Sequence, residues 1–105
     1  MARKKNLSAI VNLWREHCAV PVPEGVAGQE IAGICVASLD TFAAGCIQSF
    51  VDFGGNLDDD KVTVLDSCRR DLSIVVKEMN GEAKEHIGRL EKLARMVLVT
   101  VRDVK

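Results

Sequence analysis

The sequence predicts an all-α fold, a bundle of one short and three long helices, on three observations. Ala83, Ile87, Leu90, Ala94, Val97, Val101 and Val104 follow one another at intervals of four and three, a heptad-type apolar ladder made to lie against other helices. Hydrophobic residues make up 48% of the chain but aromatic ones only 4%, so the core must be aliphatic, which suits helix packing. Strong breakers at Pro21 and Pro23, at Gly54-Gly55 and at Asn80-Gly81 then cut the chain into four segments. At 105 residues these form a single domain, 1–105, large enough to close one core with little to spare.

The first segment is expected to be a short helix capped by Asn6 or Ser8 and ending near Cys18, with Ile10, Leu13 and Trp14 on one side. Pro-Val-Pro-Glu-Gly then forces extended chain, because the residue before each proline is pushed out of helical geometry. A long second helix is expected from about Val26 to Phe53. Its broad apolar surface, with Ile31, Ile34, Leu39, Phe42, Cys46 and Phe50, makes it the predicted most-buried helix, and its small residues, Gly45 among them, allow close approach of a neighbour.

Asp58-Asp59-Asp60 complements the dipole at the start of a third helix, expected from about Asp59 to Met79. The run lacks the alternating ligands and distal Glu of a calcium loop. Val62, Leu65, Leu72, Val75, Val76 and Met79 point inward in this reading, and Val64 falls off the stripe. Arg69 interrupts the stripe and calls for a carboxylate, for which Asp40 in the second helix is the candidate, giving a buried Asp40–Arg69 pair.

The apolar ladder keeps step through Asn80-Gly81, so two architectures compete. Either that dipeptide turns the chain into a helical hairpin, or residues 60–104 form one rod of about 67 Å. The breaker strength of Asn-Gly and the acidic Glu82 and Glu85 favour the hairpin, and a terminal strand over Met96 to Val101 is a lesser alternative.

Charge and cysteine usage narrow the function. Residues 21–60 carry seven acids and no Lys or Arg, whereas both ends are net basic and the total is −1. Such segregation suits docking between segments or subunits and does not suit nucleic acid, which needs a clustered basic stripe. Cys18, Cys35, Cys46 and Cys68 show no C-x-x-C spacing, and Cys35 and Cys46 would lie about 16 Å apart along one helix. Free buried thiols in a reducing cytoplasm are expected, with no structural zinc. The apolar stretch Ile31 to Val51 carries a central Asp40 and acidic flanks, and the Leu7 to Trp14 run is broken by Asn12, so neither a membrane span nor a signal peptide is expected.

No phosphate loop, nucleophile elbow or Ser/His/Asp set is present, and no enzyme activity, cofactor or metal is expected. His17 ends the first helix. His86 shares a face with Glu82 and Arg89 and is expected on a solvated or interface surface.

The expected function is protein–protein interaction as a homodimer, or docking with another helical protein. Ile87, Leu90, Leu93, Val97, Leu98 and Val101 of the final helix are the expected contact surface. Two alternatives stand beside it. One is a small-molecule or histidine phosphotransfer module using His86 and Arg89, and the other is an immunity- or antitoxin-type binder using the acidic middle against a basic partner.

Overall fold

The computed structural model describes residues 2–102, with the side chains of residues 2–4 left out of the description. Four helices form an all-α bundle: α1 (Ala2–Ala19), α2 (Val36–Asp52), α3 (Asp59–Val76) and α4 (Gly81–Arg102). A minimal hairpin of β1 (Glu30–Ile31) and β2 (Ile34–Cys35) precedes α2.

The first helix is longer than expected. It has 18 residues and buries Ile10, Trp14 and His17, an i, i+4, i+7 stripe that continues past the aromatic residue to the histidine. The second is shorter at its start, because residues 26–35 do not join it. Ala32 and Gly33 both have positive φ, as a tight two-residue hairpin turn demands, and no helix passes through such a pair.

Asp58 caps α3 by accepting from the Lys61 backbone N–H at 2.9 Å, with Asp59 and Asp60 in the first turn. The helix ends at Val76, three residues earlier than expected, though Met79 is still buried. Val64 is exposed, as its position off the stripe requires.

The helix breaks at residues 77–80, directly before Gly81 opens α4, and the hairpin of α3 and α4 replaces the rod. Gly81 takes φ +62, a left-handed conformation in which a side chain would be strained. The longest dimension of the molecule is 38 Å, too short for a rod of about 67 Å. Met96 to Val101 is helix and not strand, since α4 runs to Arg102; Val104 of the ladder lies outside the described residues.

Helix α4 is as deeply buried as α2, the helix expected to be the most buried. It buries Ile87, Leu90, Leu93, Ala94, Val97 and Leu98 together with His86 and Thr100, and it packs against α1, α2 and α3. Of the six residues expected to form a contact surface, five are thereby consumed inside one chain, and Val101 is half-buried. The ladder was long enough to suggest a second molecule, but three helices of the same chain cover its residues from Ile87 to Val97.

Two substitutions test this packing by urea denaturation. Leu90→Ala removes a side chain that is 0% exposed and is expected to cost about 2–5 kcal/mol. Gly81→Ala is expected to cost about 1–2 kcal/mol through backbone strain alone, since nothing lies within 4 Å of the added Cβ.

Candidate functional site

Three polar side chains meet where α1 ends against α2 and α4. His17 comes from the last turn of α1, Asp40 from the first turns of α2 and His86 from the second turn of α4. His17 is 5% exposed and His86 3%, so both imidazoles belong to the interior. His86 is therefore not the solvated or interface residue that its charged neighbours suggested. Its burial also closes the ring to a phosphoryl donor.

The carboxylate of Asp40 meets this histidine and not Arg69. His86 Nε2 lies 3.0 Å from Asp40 Oδ1, while Arg69 is half-exposed and 3.9 Å from Glu91. Asp40 does serve as the inter-helix carboxylate, but α4 reaches it first.

Protonation states follow from what the partners can do. A guanidinium only donates, so Arg89 Nε donates to His17 Nδ1 at 2.9 Å and the neutral His17 ring carries its proton on Nε2. A carboxylate only accepts, so His86 Nε2 donates to Asp40. That leaves His86 Nδ1 buried without a hydrogen-bond partner. The two imidazoles lie with centroids 4.5 Å apart and planes tilted by 32°. Trp14 stacks on the other side of His17 at 5.7 Å, and its Nε1–H donates to Gln48 Oε1 at 2.9 Å, tying α1 to α2.

One nitrogen or oxygen from each of His17, Asp40 and His86 lies within 4.8 Å of the others, the ligand set of a small metal ion. Sequence reasoning assigned none of them to a ligand site, because they stand 23 and 46 residues apart and form no local motif. The available signal was that each falls at helical spacing within an apolar stripe: His17 after Ile10 and Trp14, Asp40 between Val36 and Ala43, His86 between Ala83 and Leu90.

Outside this cluster the thiols divide in two. Cys46 and Cys68 are buried, and burial pushes the Cys68 thiol up to about 11. Cys18 and Cys35 are free and exposed, contrary to the expectation that all four are buried. Cys35 is the N-cap residue of α2. Ser38 Oγ donates to its sulfur at 3.4 Å, and this contact with the first backbone N–H groups of the helix holds the thiol below its ordinary range.

Comparison with known proteins finds no matching family model, no matching curated protein and no matching solved structure. Among the described residues, no helix is long and apolar enough to cross a membrane.

Burial drives the His17 imidazole down from 6.5 to about 4, with His86 and then Arg89 acting in the same direction and Asp40 opposing them. Unfolding restores the ordinary value, so between these limits the unfolded chain binds the extra proton. This contribution to stability is complete above about pH 6.5 and is lost as pH falls towards about 4, amounting to about 3 kcal/mol. Urea midpoints of the metal-free protein across that window are expected to fall more steeply than those of His17→Gln. Separately, timed iodoacetamide labelling with peptide mapping is expected to modify Cys35 first, Cys18 next, and Cys46 and Cys68 only on unfolding.

Proposed function

We propose that the protein is a helical interaction module that pairs with a second copy of itself through the outer face of α2. One observation carries the reading. Among the described residues, Phe42 and Phe53 are the most exposed large hydrophobic side chains, at 61% and 69%, and they stand three helical turns apart on one face of α2 and its C-cap. Between them on the same face lie Gly45 and Ser49, with Ser38 one turn before Phe42. A Cβ added at Gly45 would meet nothing within 4 Å, so the chain's own packing makes no demand for glycine there.

The stripe is self-complementary. In an antiparallel pairing centred between Ile47 and Gln48, Phe42 of each copy comes beside Phe53 of the other, and small residues face small residues at the crossing. No charged side chain interrupts the line from Ser38 through Phe42, Gly45 and Ser49 to Phe53. The interaction surface of this reading is thus on α2, in place of the final-helix surface that the core consumes. A cytoplasmic setting accompanies the proposal, supported by two free cysteines on the surface that a reducing compartment would keep unpaired.

Light scattering and sedimentation at micromolar concentration are expected to give a dimer. Gly45→Gln should favour the helix of the isolated chain, by up to about 1 kcal/mol, while preventing close approach. Dissociation to monomers together with an unchanged or raised urea midpoint is the expected result, and Phe42→Ser should act in the same direction. A wild-type chain that stays monomeric, or a dimer indifferent to both substitutions, overturns the reading.

A further inference from the structure

We propose that His17, Asp40 and His86 bind a late first-row transition-metal dication, zinc being the natural candidate, in a buried site at the junction of α1, α2 and α4. Two imidazoles and a carboxylate are a borderline nitrogen and oxygen set of the kind such ions prefer, and three protein ligands leave a fourth position for water or another small ligand.

The geometry is close to that of a loaded site. With bonds of 2.0–2.1 Å, tetrahedral ligand atoms stand about 3.3 Å apart. The Asp40 to His86 edge is 3.0 Å, and no separation within the group exceeds 4.8 Å. Small side-chain rotations of His17 towards the other two close the triangle. An ion on His86 Nε2 displaces the proton now shared with Asp40 to Nδ1, the buried ring nitrogen that has no hydrogen-bond partner.

Arg89 is the feature that needs explaining, because a guanidinium beside a metal ion is repulsive. It donates to His17 and also lines a surface groove shared with Glu24, Glu82 and Glu85. Its guanidinium therefore occupies the histidine lone pair and adjoins the groove. Glu85 precedes Arg89 by four residues on α4, the spacing at which the two side chains meet on a helix surface. Loading the site frees His17 Nδ1 from Arg89 and leaves the guanidinium a carboxylate partner one turn away. Arg89 is thus a placeholder that competes with the ion, and the acidic groove draws cations to the same end of the bundle.

The chelated full-length protein is titrated with zinc by calorimetry and with cobalt by visible absorption. One ion per chain is expected, with cobalt giving the intense d–d bands of a four-coordinate nitrogen and oxygen site. Asp40→Asn keeps an acceptor for His86 Nε2–H while removing the charge, and it should weaken zinc at least about tenfold with circular dichroism unchanged. His17→Gln should do the same, whereas Arg89→Gln should tighten binding. Cys18→Ser should leave the affinity alone, which separates this site from a surface pair of His17 and its neighbouring thiol. Absence of both heat and cobalt bands overturns the proposal, and so does an affinity indifferent to Asp40→Asn and His17→Gln.

Discussion

The position of every other helix depends on α4, which packs against α1, α2 and α3 at once. Its buried residues, from Ile87 to Leu98, cover more than one side of the helix, so a single neighbour could not shield them. The short connection at residues 77–80 sets α3 antiparallel beside it, and α2 and α1 close the remaining sides. This order of packing brings the stripe of Ile10, Trp14 and His17 on α1 against α4. It also explains why two of its polar residues, His86 and Arg89, come to face groups from distant parts of the chain.

The polar cluster at that end is expensive for so small a protein. Burying a neutral polar group with no partner costs about 1–3 kcal/mol, and domains of this size are stable by only about 5–15 kcal/mol in total. Arg89 satisfies His17 Nδ1 and Asp40 satisfies His86 Nε2, which recovers part of the cost. His86 Nδ1 is left without a partner. Aliphatic side chains of similar volume at positions 17, 40 and 86 would continue the stripes on which these residues stand and would avoid the cost altogether. The bundle has no packing requirement that only two histidines and an aspartate could meet.

Much of the bundle was legible because periodicity and punctuation are local. The cap at Asp58, the helix break just before Gly81 and the inward face of α3 all follow from residues within a few positions of one another. The β1–β2 hairpin was not legible, since Glu-Ile-Ala-Gly-Ile-Cys reads as helix-compatible apolar sequence until Ala32 and Gly33 are seen to adopt positive φ. Arg69 and Asp40 illustrate a different failure. Each needed a partner, and the rule that buried charges are paired was sound, but it does not say which helix is nearest. Asp40 met His86 and Arg69 turned towards Glu91 and solvent. His86 was expected at the surface because Glu82 and Arg89 share its face, but Glu82 alone stays exposed there, while Arg89 reaches in to His17 and His86 is buried.

Helix α2 carries both proposed sites, on different sides. Asp40 and Gly45 are five residues apart, which places them about 140° from one another around the helix axis. An ion held by Asp40 would therefore not touch a partner lying across Gly45. One polar thread does join the two regions: Trp14 stacks on His17, donates to Gln48, and Gln48 donates to Asp52 at 2.7 Å beside the exposed stripe. Gln48 and Asp52 are exposed, so each of these contacts competes with water and is worth about 1 kcal/mol or less. A shift of α1 on metal loading could alter pairing through α2 by no more than that thread carries, which is about fivefold in an association constant. The two proposed sites would thus be nearly independent features of one helix, the inner one facing α4 and the outer one on the exposed side.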